Sequence, residues 1–318
     1  MHTLTFNSEV IVINQLKHSR YSDLPKLWRA NQSSFPIRVY SHSFSKYGIK
    51  LIYFTLHVDC LMLLKKINVE DKDILLIKDA CNDFLKQAAL TIDDFHIVRI
   101  DYCTNKRMAN KQERDILFQT LHQCATQCNY LSGMSYDHGV YWHNRSRALQ
   151  IYDKEVERIE KSESIRSYES DVIRVELQLK SRYIKDAANK LAKSLGRKTK
   201  NIGNPYRSLD FWVSVSREEE YLEALEKHIP HGDFYSLERA NEIIDLSNIT
   251  KSMKKKLKIF LLIIQTNGLD IASKEHRRNT INKYISIFST EMNICPFTIP
   301  ESLSKSTGID FIANPFYK

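Results

Sequence analysis

The stretch Val172-Ile173-Arg174-Val175-Glu176-Leu177-Gln178-Leu179-Lys180 decides how this chain is read. A strand turns successive side chains to opposite faces, so Ile173, Val175, Leu177 and Leu179 point one way and Arg174, Glu176, Gln178 and Lys180 the other. One face is core and the other carries chemistry. Phe95-His-Ile-Val-Arg99-Ile-Asp101 and Ala148-Leu-Gln-Ile-Tyr152-Asp-Lys154 follow the same rule, which sets Arg99 with Asp101 and Tyr152 with Gln150 and Lys154. An antiparallel sheet built from these strands would gather a carboxylate pair, a phenol and several cations on one side. Those are the groups for metal-assisted attack on a phosphodiester.

The surrounding pattern predicts an α+β fold. Glu9–Asn14 and Ile49–His57 read as strands separated by a polar stretch, and residues 60–90 as two helices or one broken near Val69-Glu-Asp-Lys. A strand over 94–104 leads to a helix over 109–130, then to the Tyr141 region, the Tyr152 strand and the Glu176 strand. The link between those last two strands is short enough for antiparallel pairing. Past residue 184 helical spacing dominates, at about 184–195, 216–228, 235–246, 249–267 and 275–291, with Gly268 placed to close the fourth of these. The turn chemistry of Gly196 to Pro205 divides the chain into a domain at 1–195, with an antiparallel sheet and covering helices, and a mainly helical, basic one at 196–318.

At 318 residues and 42% hydrophobic, the chain has the material for two cores. Its net charge of +9 points to a polyanionic partner. Much of the excess is local: Lys180, Arg182, Lys185, Lys190, Lys193, Arg197, Lys198, Lys200 and Arg207 are opposed only by Asp186. This run reads either as a solvated helix and loop or as a phosphate-binding stretch directly after the proposed site. Lys251, Lys254, Lys255 and Lys258 stand against the apolar Leu257, Phe260, Leu261 and Ile264, as a solvated face or as a DNA contact within a helix-turn-helix with 235–246.

The six cysteines form no paired CxxC framework and the N-terminus carries no secretory pattern, so a reduced, cytoplasmic protein is expected. Cys124 and Cys128 share helical spacing with Leu117, Leu121 and Leu131 and read as core rather than as a zinc site. The longest apolar run, Ile259 to Ile264, is far short of the ~20 residues that span a bilayer, so no membrane association is expected.

The run Gly139-Val-Tyr141-Trp-His-Asn-Arg-Ser146-Arg-Ala-Leu-Gln-Ile-Tyr152-Asp-Lys154-Glu-Val-Glu157-Arg158, followed by Arg174-Val-Glu176, resembles rolling-circle replication initiators. Two groups share the aromatic-x-Ser…Tyr-x-Lys-x-x-Glu segment and later Arg-x-Glu strand: gene II/X-type replication proteins of filamentous phages, and initiators of small Gram-positive plasmids and related mobile elements. Arg99-Ile-Asp101 fits as their earlier acidic motif, so the resemblance covers residues 94–182. The chain departs from the most familiar nicking family in having no His-hydrophobic-His motif. It departs from the plasmid group in having Trp142, His143 and Asn144 where glycine and serine often follow the first tyrosine.

The resemblance implies an endonuclease that nicks one origin strand through a tyrosine, stays joined to the 5′ phosphate and leaves a 3′ hydroxyl. Tyr152 carries over as nucleophile with Tyr141 as competitor, and Lys154 or Arg174 would favour the phenolate. Asp101 and Glu176, with Glu157 as a third ligand, would hold Mg2+ or Mn2+. Lys180, Arg182, Lys185, Arg197, Lys198, Lys200, Lys254 and Lys255 are the candidate DNA contacts. Origin and single-stranded DNA are the expected partners, together with a host polymerase, in the cytoplasm of a bacterial host; a homodimer is compatible with this reading. No P-loop is present, so helicase activity falls to a host partner.

Each residue also has a plainer reading. Arg99 with Asp101 and Arg174 with Glu176 would serve as ion pairs on a sheet, Glu157 as a helix-start residue, Tyr152 as a packing tyrosine, and His57 and His143 as ordinary strand residues. At the level of the whole chain, the alternatives are a non-enzymatic origin- or single-strand-binding protein, and a relaxase or transposase with the same chemistry.

Overall fold

The decisive strand, β9 (Val172–Leu179), forms where its alternation predicts, yet all of its residues are buried, the polar face included. The computed structural model describes residues 3–24, 35–66, 69–70, 72–124, 132–136, 138–165, 169–196, 208–213 and 218–317. The fold is α+β. Its nine-stranded sheet comprises β1 (Thr3–Asn7), β2 (Ile11–Val12), β3 (Ile37–Lys46), β4 (Ile49–Asp59), β5 (His96–Arg107), β6 (Ser132–Tyr136), β7 (Gly139–His143), β8 (Arg147–Asp153) and β9. The hydrogen-bonded order is β2-β4-β1-β5-β9-β8-β7-β6, with β3 also on β4. Every pair with a defined register is antiparallel.

By backbone proximity the chain divides into two units: Met1–Cys103 with Arg145–Ala148 and Glu176–Arg217, and Thr104–Asn144 with Leu149–Val175 and Glu218–Lys318. Strands β5, β8 and β9 each contribute a stretch to both. The first unit also holds α1 (Cys60–Leu64), α2 (Asp73–Lys86), α5 (Ser181–Ser194) and α6 (Leu209–Val213). Its sheet buries Leu4, Phe6, Leu56, Val58, Ile97 and Ile100. Ile97 and Ile100 are an odd number of residues apart, and strict alternation would send them to opposite faces. A bulge resolves this: Phe6 pairs with Ile97 but Thr5 with Arg99, so Val98 is extra, and Arg99 and Asp101 both fall on the face away from that core.

In this unit the sequence pattern misled in two places. Glu9–Asn14 is strand only at Ile11–Val12 and continues as a 3-10 turn, Ile13–His18, with no buried residue. The polar stretch preceding β4 contains β3, joined to it by a two-residue turn in which Tyr47 (φ 52°) and Gly48 (φ 77°) are both left-handed, as a twisted hairpin requires. The outer half of β3 has no buried side chain, so it carries no apolar stripe to announce it.

The second unit is built on α3 (Lys111–Cys124), α4 (Lys154–Glu160), α7 (Glu218–Glu226), α8 (Leu237–Leu246), α9 (Lys251–Glu275), α10 (Arg278–Met292) and α11 (Glu301–Thr307), with a small pair of strands, β10 (Phe234–Tyr235) and β11 (Phe311–Ile312). One apolar cluster joins Leu117 and Leu121 of α3, Trp142, Ile151 and Ile173 of the sheet, and Leu257, Phe260, Leu261 and Ile264 of α9. The carboxyl-terminal region is mainly helical, as predicted. Gly268 does break α9 (φ 77°, ψ 166°), but the helix resumes to Glu275 because Leu269 and Ala272 still have core to bury. The expected helix over 109–130 is described as far as Cys124, and Cys128 lies outside the described residues. Among the described residues no helix is long and apolar enough to cross a membrane.

Candidate active site

In the first unit, four ionisable groups converge on the sheet face opposite the core. Arg99 donates from Nε to Oδ1 of Asp101 and from Nη2 to Oδ2, each at 2.7 Å. The carboxylate is buried whereas the arginine is half-exposed. Burial pushes Asp101 up to about 6; Arg99 opposes the shift and the nearby negative charge of Glu176 adds to it. Lys180, the residue before α5, is pulled down by burial and then by Arg99, while Asp101 holds it up. The expected carboxylate pair therefore exists, at the β5 and β9 positions read from the sequence. His57 of β4 is pushed down to about 4, first by burial and then by Arg38 and Arg99, so it is neutral near neutral pH. Arg38, His57 and Arg99 thus act on one another on this face.

The second unit holds the phenols. Val140, Trp142, Leu149, Ile151, Ile173 and Val175 all enter its core, so alternation puts Tyr141, His143, Gln150, Tyr152 and Arg174 on the opposite face. Tyr141 stacks on His143, with centroids 4.9 Å apart. Gly139 lies against Tyr152: a Cβ there would stand 3.1 Å from Tyr152 Cβ and 3.0 Å from the Ile151 carbonyl oxygen.

Lys154 is not on the Tyr152 strand. β8 ends at Asp153, whose carboxylate accepts from the backbone N–H groups of Glu155 (2.9 Å) and Val156 (3.1 Å) and so caps α4. Lys154, the first residue of that helix, still brings Nζ to 5.8 Å from the Tyr152 ring centroid. Burial lowers its pKa, Arg174 lowers it further, and a hydrogen bond to Glu157 opposes both. Glu157 resists its own burial because Lys154 and Lys161 both bond to it, which leaves it at about 2. Arg174 donates from Nε to Asn105 Oδ1 at 2.8 Å and lies 4.0 Å from Glu169.

The support beneath Tyr152 and Lys154 was not legible in the sequence. Arg114 of α3 is buried and bonds to Asp153 (2.8 Å), Glu155 (2.9 Å) and Asp171. Arg158 bonds to Glu169 through two nitrogens (3.0 and 2.8 Å). These partners come from distant parts of the chain, and no local spacing pairs them.

Among the candidate DNA contacts, Arg182 and Lys185 are exposed on α5, whose opposite side buries Ile184, Ala188 and Ala192. Lys255 is exposed on α9, whereas Lys254 donates to the carbonyl of Asp245 at 2.6 Å. Arg197, Lys198 and Lys200 lie outside the described residues. No group of three or more His, Cys, Asp or Glu side chains is gathered for a metal ion among the described residues.

A surface that sets hard carboxylate oxygens, phenols and cations on strands suits phosphodiester chemistry, and the family comparison agrees. Residues 70–198 match the family described as the N-terminal part of the phage replication-associated protein of gene II. Over this stretch, which contains Arg99, Asp101, Tyr141, Tyr152, Lys154, Arg174 and Glu176, the chain is similar to phage replication proteins, and the likeness supports a replication initiator of the rolling-circle kind. The match is to the phage group of the two that the motifs resemble. No curated protein matches the chain.

Proposed function

We propose that the chain initiates rolling-circle replication by nicking one origin strand through a tyrosine and later rejoining it. The observation that carries this reading is the family match over 70–198, which takes in every motif strand at once.

The roles fall to residues one by one. Tyr152 Oη attacks the scissile phosphorus and loses its proton; the bond from phosphorus to the 3′ oxygen breaks, and that oxygen leaves protonated as a 3′ hydroxyl. The phosphotyrosine keeps the phosphodiester's energy, so a second hydroxyl can displace the tyrosine without ATP. A phenol with a pKa of about 10 needs help at neutral pH. The Lys154 ammonium, which lies toward the ring, supplies it by favouring the phenolate, with Arg174 behind it.

Asp101 and Glu176 offer the hard oxygen ligands that Mg2+ or Mn2+ prefer, and such ions are commonly held by one or two carboxylates together with substrate phosphate oxygens. A bound divalent ion would withdraw charge from the phosphate and lower its resistance to an anionic nucleophile. Glu157 joins as a third carboxylate only when Lys154 and Lys161 release it. Arg99 is placed to leave Asp101 for a phosphate oxygen, because its side chain is 41% exposed. Lys180, Arg182 and Lys185, with Lys255, neutralise the DNA backbone. A host helicase and polymerase extend the 3′ end.

The test is to incubate the protein with supercoiled DNA of its replicon and with single-stranded origin oligonucleotides, in Mn2+ or in EDTA, followed by denaturing gels and peptide mapping. A metal-dependent covalent adduct on Tyr152 is the expected result; adduct on Tyr141 would move the nucleophile to β7. DNA binding with neither nick nor adduct would replace the enzyme with an origin-binding protein.

A further inference from the structure

We propose that the β3–β4 ribbon is a base-stacking arm for single-stranded DNA. The inference deepens the reading of the chain as a nicking initiator and assigns its DNA a path outside the reacting groups. It begins with the order of residues in β3, Tyr40-Ser-His42-Ser-Phe44-Ser-Lys46. Alternation puts the serines on one face and Tyr40, His42, Phe44 and Lys46 on the other. The register adds Tyr53, opposite His42, to the aromatic face.

Every residue from Tyr40 to Lys50 is exposed. Tyr40 and Phe44 expose 39% and 40% of their surface, and Tyr47, at the turn, 92%. His42 stacks on Tyr53 at 4.9 Å, and Lys46 stands 5.4 Å from the Tyr47 ring centroid. Exposed rings at this density on a two-stranded projection bury little of their own chain. What they offer is a row of π faces.

Charge selects the occupant. From Arg38 to Val58 there is no Asp or Glu, while Arg38, Lys46 and Lys50 are basic. Arg38 Nε is enclosed without a hydrogen-bond partner among the described residues. Rings interleaved with unopposed cations fit a polyanion whose bases are free to stack, which a single strand provides and a paired duplex does not. From Tyr40 to Lys46 the strand runs roughly 20 Å, enough for several nucleotides.

The face also leads to the candidate carboxylates. Arg38 pairs with His57, His57 with Thr5, and Thr5 with Arg99, so one sheet face carries the ribbon's aromatic row and the Arg99–Asp101 pair. A strand laid on the ribbon is thereby brought toward the groups proposed to act on its phosphate.

The experiment measures fluorescence anisotropy of the full chain with a labelled oligothymidine and with a duplex of equal length. It compares the wild type with the double variant Tyr40→Ser/Phe44→Ser, with Tyr47→Ser, and with Ser43→Ala/Ser45→Ala on the opposite face. Stacking on one aromatic is worth about 1–3 kcal/mol per base, so the two aromatic variants should each weaken single-strand binding by roughly fivefold or more. Duplex binding, the melting temperature and the serine pair should be unchanged, and Tyr40→Phe should bind as wild type. Unchanged single-strand affinity in the aromatic variants, or an equal loss on duplex or in the serine pair, would overturn the proposal. Adduct formation on saturating DNA is read separately. Aromatic variants that bind like wild type in a protein that nicks remove the arm alone, whereas lost binding in a protein that never forms an adduct keeps the arm and removes the nicking reading.

Discussion

Arg99 grips Asp101 through two hydrogen bonds of 2.7 Å, and that half-exposed arginine is the strongest influence keeping the buried carboxyl from rising further above its ordinary range. A metal ion or phosphate at this face must compete with that grip.

A pH dependence follows. Asp101 sits at about 6 in the folded chain, against about 4 unfolded. Because its folded value is raised, its stabilising contribution is fully present below pH 4 and is lost as pH rises through 6. Two units correspond to at most about 3 kcal/mol. Thermal melts should show wild-type stability falling between pH 4 and 6 relative to Asp101→Asn. Arg99→Gln, which removes the opposing charge, should move the end of that fall to higher pH. Parallel curves for wild type and Asp101→Asn would contradict the assignment.

Glu176→Gln should remove one metal ligand and, by deleting a neighbouring negative charge, lower Asp101 toward its ordinary value. Nicking in Mn2+ should fall about a hundredfold or more, the scale of several kcal/mol of lost charge stabilisation. Single-strand affinity in EDTA should be retained. A variant that nicks at the wild-type rate would return Glu176 to the role of a structural ion-pair residue.

Gly139→Ala probes Tyr152 from the neighbouring strand. The added methyl would meet Tyr152 Cβ at 3.1 Å and the Ile151 carbonyl oxygen at 3.0 Å, so β8 must shift by a few tenths of an ångström. Adduct formation should slow by roughly tenfold to a hundredfold, since small misplacements of a nucleophile are costly, while unfolding free energy drops by about 1–2 kcal/mol. Single-turnover kinetics alongside urea titration separates the two effects; a large stability loss with an unchanged rate would argue against Tyr152.

Arg114→Met should destabilise the chain by about 3–5 kcal/mol, because it leaves buried Asp153 without its cation. Lys154 follows that cap directly, so the same variant should loosen the first turn of α4, read as faster amide exchange at Glu155 and Val156. A melt within about 1–2 °C of wild type would show that the network contributes little.

The elements with a strong period were legible from residues alone. Ile173, Val175, Leu177 and Leu179 announced β9, and Leu257, Phe260, Leu261 and Ile264 announced the buried face of α9. The acidic and basic groups of the candidate site were legible for the same reason, because alternation sets Glu176 and Arg174 apart from the core without reference to any other strand.

What tertiary structure decided depends on partners distant in sequence. The Val98 bulge exists only because β1 pairs with β5, and it puts Arg99 and Asp101 on the same face while Ile97 and Ile100 share the core. β3 has no apolar stripe over its outer half and is a strand because β4 pairs with it. Arg114 found Asp153 across 39 positions. A sequence determines which side of an element each residue takes, since that follows from backbone geometry. Which side is covered, and which buried charges meet, follows from pairing that only the assembled chain supplies.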